Sequence, residues 1–186
     1  MSQSRIKEEY RQHTLLAAIH EGKCKGRVWR SKELIHEQAG NDPESLIKEL
    51  RDWVNHSISG RAEAQGESLS HDRLLSAMKQ ILPSLTDGQL AMLKAHYSAP
   101  EQTITAGDLA EAAGYASFSG ANLQYGFIGK ALQEISPIKL PKRGDGTEIY
   151  TFYLAEAATE SEEEGYWRWK LRPELSSVIE ELGLDI

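Results

Sequence analysis

Residues 104 to 135 read ITAGDLAEAAGYASFSGANLQYGFIGKALQEI, and two short helices joined at a glycine account for the whole run. Thr105 offers a hydroxyl to cap the first helix, and Asp108, three residues on, favours the positive end of its dipole. Leu109, Ala110 and Ala113 give that helix an apolar face, and Gly114 stops it. The second helix carries Phe118, Ala121, Tyr125, Ile128, Leu132 and Ile135 toward a core at three- to four-residue spacing, with Ser119, Asn122, Lys130 and Gln133 outward. Small residues at the crossing and a glycine at the turn are what a helix-turn-helix needs. Gly126 and Gly129 each cost about 1 kcal/mol inside a helix, which predicts a bent or broken second helix. They make room either for a ligand or partner, or for a neighbouring helix.

Beyond Ile135 the period changes to alternation. Ile138 and Leu140 lead into PKRGDGT, whose Asp145-Gly146 suits a tight turn, and EIYTFYLAE returns as a β-branched and aromatic strand. A helix-turn-helix followed by a hairpin spells a winged helix, with Lys139, Lys142 and Arg143 where a wing reaches phosphates. In YWRWKLRPELSSVIEELG, Trp167, Trp169 and Leu171 alternate with Arg168, Lys170 and Arg172 as a third strand. Pro173 then opens a last helix on Leu175, Val178, Ile179 and Leu182, ended by Gly183.

Toward the N-terminus, residues 4 to 20 place Ile6, Tyr10, Leu15, Leu16 and Ile19 among charges as an amphipathic helix. KCKGRVWRSK follows with Lys23, Lys25, Arg27, Arg30 and Trp29, a dense basic patch able to grip phosphates and stack a base, or a solvated loop with Trp29 turned inward. Ser31 reads as the cap of a helix over KELIHEQAG, and Asp42-Pro43 starts another with Leu46, Ile47, Leu50, Trp53 and Val54 inward. SGRAEAQGES, residues 59 to 68, reads as a hinge. Helices HDRLLSAMKQIL and TDGQLAMLKAHY follow it. The expected fold is mainly α with a small antiparallel sheet: a helical N-terminal region over 1–58, a hinge over 59–68 and a winged-helix-like domain over 69–186. Its core is expected to hold Leu90, Leu93, Leu109, Leu123, Ile128, Leu132, Phe152, Trp167, Trp169 and Ile179.

A chain of 186 residues with 40% hydrophobic side chains suits an ordinary globular protein. No apolar run approaches a membrane span and the N-terminus is too charged for a signal peptide, so the cytoplasm is the expected compartment. Cys24 alone excludes an internal disulfide and a cysteine-based zinc site. The net charge of −7 opposes a simple DNA-binding reading, because phosphate attraction supplies most non-specific affinity. That charge is concentrated in AEAATESEEEG, where Glu156, Glu160, Glu162, Glu163 and Glu164 read as a solvated loop.

LTDGQLAMLKAHYSAP, TAGDLAEAAGY, ANLQYGFIGKAL and WRWKLRPELSSVIEELG together resemble a helix-turn-helix-like domain found beside HNH motifs in bacterial restriction-type endonucleases, over about Leu85 to Ile186. The resemblance implies association with DNA or with nucleic-acid-targeting defence. It does not extend to the histidine and metal-binding cluster such nucleases need. His13 and His20, seven apart on one expected helix face, are the nearest approach to a metal pair; His36, His56, His71 and His96 are scattered. No catalytic triad, phosphate-binding glycine loop or paired carboxylate site is recognisable.

A non-enzymatic protein without cofactor or metal is therefore expected. As a DNA-binding module related to restriction and defence proteins, it would set Asn122, Gln124 and Lys130 against base edges and Lys139, Lys142, Arg143, Arg168, Lys170 and Arg172 on the phosphates of double-stranded DNA, modified or not. Lys23, Lys25, Arg27, Trp29 and Arg30 form the secondary patch. The alternative is a phage- or plasmid-encoded inhibitor of a bacterial defence complex, anti-CRISPR or anti-restriction, acting by contact with a nucleic-acid-processing protein.

Overall fold

Alternation, not helical periodicity, governs the first forty residues. The computed structural model describes residues 4–158 and 167–184, and the chain divides into two units, Met1–Ala64 and Gln65–Ile186. The first opens with β1 (Arg5–Tyr10), β2 (His13–His20), β3 (Lys23–Arg30) and β4 (Glu33–Gly40), an antiparallel meander in sheet order β1-β2-β3-β4. The helices expected over residues 4 to 20 and over KELIHEQAG are thus corrected to strands, and the N-terminal region begins with a four-stranded sheet and turns helical only from Pro43. Two-residue turns join the strands at residues 11–12, 21–22 and 31–32. Arg11, Gln12, Glu21, Gly22 and Ser31 take φ of 47°, 61°, 51°, 73° and 57° there. Hairpin turns of the type that follows strand twist require positive φ. Only one of these turns advertises it with glycine.

The meander is stabilised by what lies on one face. His13, Leu15 and Ala17 of β2 and Cys24, Gly26 and Val28 of β3 point to one side and are buried. α1 (Pro43–Gln65) lays Leu46, Ile47, Leu50, Val54 and Ile58 against them. At about 25 cal/mol per Å² of apolar area removed from water, this face outweighs the modest helix propensity of the same residues. Asp42 caps α1 by accepting the Ser45 amide at 2.9 Å. The helix runs on through residues 59–65, which composition alone reads as hinge.

The second unit holds α2 (His71–Ile81), α3 (Asp87–Ser98), β5 (Thr103–Thr105), α4 (Ala106–Ala112), α5 (Phe118–Ile135), β6 (Ala155–Ala157), β7 (Arg168–Leu171) and α6 (Pro173–Glu181). Capping boxes at Thr86/Gln89 and Thr105/Asp108 start α3 and α4, and Ser117 caps α5 through the Gly120 amide. Each such cap contributes about 1 kcal/mol. α5 is not broken: it runs as one helix over 18 residues despite its glycines.

The three-stranded sheet has order β5-β7-β6. The hairpin expected around Lys142 and Arg143 is no part of it, since PKRGDGT closes only an isolated bridge between Lys142 and Glu148. Nor is EIYTFYLAE a strand throughout, because Tyr150–Tyr153 coil into a 3-10 turn first. Gly129 is the physical reason. An added Cβ there would stand 2.1 Å from the Tyr150 carbonyl oxygen, so the turn packs its backbone directly on α5. The Tyr153 hydroxyl then pins it from the other side, donating to the Ser136 carbonyl at 2.7 Å; burial pushes that phenol up to about 12.

Leu93, Leu109, Ile128, Leu132, Trp169 and Ile179 lie in the core of this unit, and Leu90 and Phe152 are half-buried. Leu123 and Trp167, expected inside, are 57% and 60% exposed. Leu123 falls between the inward turns of α5 marked by Ala121, Tyr125 and Ile128, and Trp167 precedes the first paired residue of β7.

Candidate nucleic-acid interface

In the first unit α1 covers one face of the meander, and no other described element of that unit covers the opposite face, whose strand residues are half-buried or exposed. Register makes that open face a lattice. Glu9, Thr14, Trp29 and Leu34 form one row across the sheet, Lys7, Leu16, Arg27 and Glu37 the next, and Arg5, Ala18, Lys25 and Ala39 the third. Lys23 continues the alternation at the end of β3. The face therefore presents five cations against two carboxylates, in a chain whose net charge is −7.

Adjacent rows lie roughly 7 Å apart and adjacent strands roughly 5 Å. Lys7 and Arg27 flank Leu16, so their aliphatic stems shield it while their heads stay in water. Glu37 accepts from Arg27 at 2.5 Å and lies 3.6 Å from Lys25, and the Arg27 hydrogen bond holds its carboxyl below the usual range. These are surface pairs, worth little to stability and readily exchanged for another anion. Arg30 does not belong with the others: its register partners are His13 and Glu33, on the alternate parity. Arg5 and Lys7 escaped the sequence reading, although the alternation Arg5-Ile6-Lys7-Glu8-Glu9-Tyr10 carries their signal.

In the second unit the expected site residues separate. Arg168 and Lys170 flank Trp169 on β7 and line a groove with Pro100, Glu101, Thr103 and Asp108, where two carboxylates oppose them. Trp169 faces the other way, lining a cleft with Lys130 and Arg143. Arg172 is engaged internally, its Nε donating to the Phe152 carbonyl at 2.9 Å and its Nη1 standing 2.9 Å from Glu156. Gln124 accepts from Gln89 at 3.2 Å. Lys142 and Arg143 are exposed, with Arg143 also donating to the Glu148 carbonyl at 3.2 Å. Lys139 is exposed, and its backbone amide is tied to the Gly66 carbonyl at 2.7 Å. Glu160, Glu162, Glu163 and Glu164, expected as an acidic loop, lie outside the described residues.

The cleft between α5, the 3-10 turn and β7 measures about 500 Å³. Phe127 and Trp169 give it aromatic walls, Lys130 and Arg143 give it charge, and Asn122 and Tyr150 also line it. Among the described residues Asn122 Oδ1 is shut from solvent without a hydrogen-bond partner, an arrangement that costs about 1–3 kcal/mol.

The histidines do not converge. His13 is buried and donates from Nδ1 to the Arg11 carbonyl at 2.5 Å. His20 lies an odd seven residues away on the same strand, hence on its opposite side. His36 stacks on Trp53 with ring centroids 4.2 Å apart. Among the described residues no group of three or more His, Cys, Asp or Glu is placed to hold a metal, and no helix is long and apolar enough to cross a membrane. No family model matches this chain, nor does any curated protein or solved structure.

Proposed function

We propose that this protein is a non-catalytic DNA-binding module that holds duplex DNA on the open face of its N-terminal sheet. The observation that carries this reading is the charge separation in the meander: Arg5, Lys7, Lys23, Lys25 and Arg27 stand on the face away from α1, around Trp29 and Leu16. Phosphate neutralisation supplies the affinity and releases counterions, while β-sheet readers bring strands to a groove. Trp29 and Leu34 share the end row and supply the apolar contact. The resemblance of residues 85–186 to the domain beside HNH motifs supports the same association with DNA and defence.

The test is duplex binding across salt with a Lys23→Ala/Lys25→Ala/Arg27→Ala variant. If all three side chains contact phosphates, the slope of log affinity against log salt should flatten by roughly 2.7, about 0.9 for each. Equal substitutions at Lys142 and Arg143, or at Arg168 and Lys170, should change it less. Absence of duplex binding at low salt would overturn the proposal in favour of a protein partner, the defence-inhibitor reading. That reading draws its support from Phe118 and Leu123, 63% and 57% exposed on α5.

A further inference from the structure

α5 carries two interior glycines, and packing explains only one. Gly129 lies against the Tyr150 backbone, whereas the nearest atom to a Cβ at Gly126 is Thr151 Oγ1 at 3.9 Å. A methyl group would fit there, and alanine is the better helix former. What the missing side chain leaves open is the cleft, of which Gly126 is one wall.

The remaining walls describe the occupant. Trp169 is held edge-on by Phe152 at 5.2 Å and by Trp167 at 5.7 Å, so the part of its ring that reaches the cleft, with the residue 8% exposed, is a fixed wall. Phe127 is 45% exposed on α5, one residue beyond the glycine. Lys130 lies one turn further along α5, and Arg143 reaches the same cleft from the loop that follows the helix. A flat ring fits against a helix backbone stripped of its side chain and between aromatic walls, and stacking of this kind tolerates any base. The two cations call for an anion attached to that ring, and Asn122 lines the same cleft with a side-chain amide, the group that pairs with a base edge. A volume of about 500 Å³ accommodates one nucleotide.

We propose that this cleft binds a single unpaired nucleotide, with its base beside Gly126 between Phe127 and Trp169 and its phosphate at Lys130 and Arg143. Free nucleotides and single strands share that chemistry.

The experiment titrates the full chain with 5′-AMP, adenosine and an oligo(dA) single strand, by calorimetry and ligand-observed NMR. AMP should bind with a Kd of about 10 µM to 1 mM, as expected for a ligand of its size, and adenosine roughly tenfold more weakly. Gly126→Leu should abolish AMP binding. Gly126→Ala should weaken it several-fold without lowering Tm, which separates a filled cleft from a damaged fold. Lys130→Ala/Arg143→Ala should erase the preference for AMP over adenosine. Tighter binding of oligo(dA) assigns the site to single strands and equal binding to free nucleotides, and either supports the pocket. Lys23→Ala/Lys25→Ala/Arg27→Ala should leave AMP binding unchanged, so this pocket and the sheet-face proposal fail independently. No AMP binding at millimolar concentration, or binding indifferent to Gly126→Leu, would overturn the proposal; peptide capture in its place would assign the cleft to a protein.

Discussion

Gly129→Ala should destabilise the Gln65–Ile186 unit by about 2–4 kcal/mol, near the upper end for overpacking by a single methyl. The new Cβ would lie 2.1 Å from the Tyr150 carbonyl oxygen and 2.9 Å from its carbon. Backbone atoms yield far less easily than a side-chain tip. This turn is tied on both sides as well: the Leu154 amide donates to the Thr151 carbonyl at 3.0 Å and the Phe152 amide to Ile149 at 3.1 Å. Tyr153 anchors it to Ser136. The helix-propensity gain of about 1 kcal/mol from alanine offsets only part of the clash. Urea unfolding followed at the Trp169 indole resonance would measure the effect within this unit. A midpoint equal to wild type would mean that the turn does not bear on α5. Gly126→Ala, three residues away on the same helix, should be neutral or stabilising in the same assay.

The same unit should lose about 3 kcal/mol of stability as pH falls from 6.5 to 4, because of His96. Its side chain is 0% exposed. The Tyr125 hydroxyl donates to Nδ1 at 2.5 Å, and Nε2 donates to the Trp169 carbonyl at 2.9 Å, which fixes the neutral tautomer. Burial lowers its pKa to about 4, against the opposing pull of the Trp169 and Gln102 carbonyls. The unfolded chain takes up a proton at this histidine below about 6.5, and the folded chain only below about 4. Between those values the unfolded state holds more protons, so stability falls with pH; below both, the loss is complete. A shift of this size corresponds to about 3 kcal/mol at 1.36 kcal/mol per unit. His96→Gln keeps polar atoms in place without titrating there, and should flatten the pH dependence of the urea midpoint between pH 7 and 4.5. An unchanged dependence in that variant would assign the acid lability to other groups.

Much of the second unit was legible in sequence because its signals are local. Thr105 with Asp108, and Pro173, are helix starts whose hydrogen bonds or fixed φ act within three residues, and both helices begin at them. Gly114 takes φ of 69° where the first helix of the quoted stretch stops. The first unit was misread because its determinants are distant. Ile6, Tyr10, Leu15, Leu16 and Ile19 satisfy a helical period as readily as a strand period. The choice is made by cross-strand pairing and by Leu46 and Leu50 of α1 covering one face. Its turns carry positive φ on Arg11, Gln12, Glu21 and Ser31, residue types that do not announce it.

The candidate sites divide in the same way. Residue types alone marked Lys23, Lys25, Arg27 and Trp29 as a basic and aromatic patch, and marked Asn122, Lys130 and Arg143 as side chains suited to nucleic acid. Register decided that Arg5 and Lys7 join the patch while Arg30 leaves it, since neighbours in a strand point to opposite faces. Tertiary packing brought Asn122, Lys130, Arg143 and Trp169 around one cleft and turned Arg168 and Lys170 to another groove. Composition determined the supply of charge and aromatic surface. Which side chains share a surface was decided by hydrogen bonds between residues far apart in the chain, whose partners no local pattern specifies.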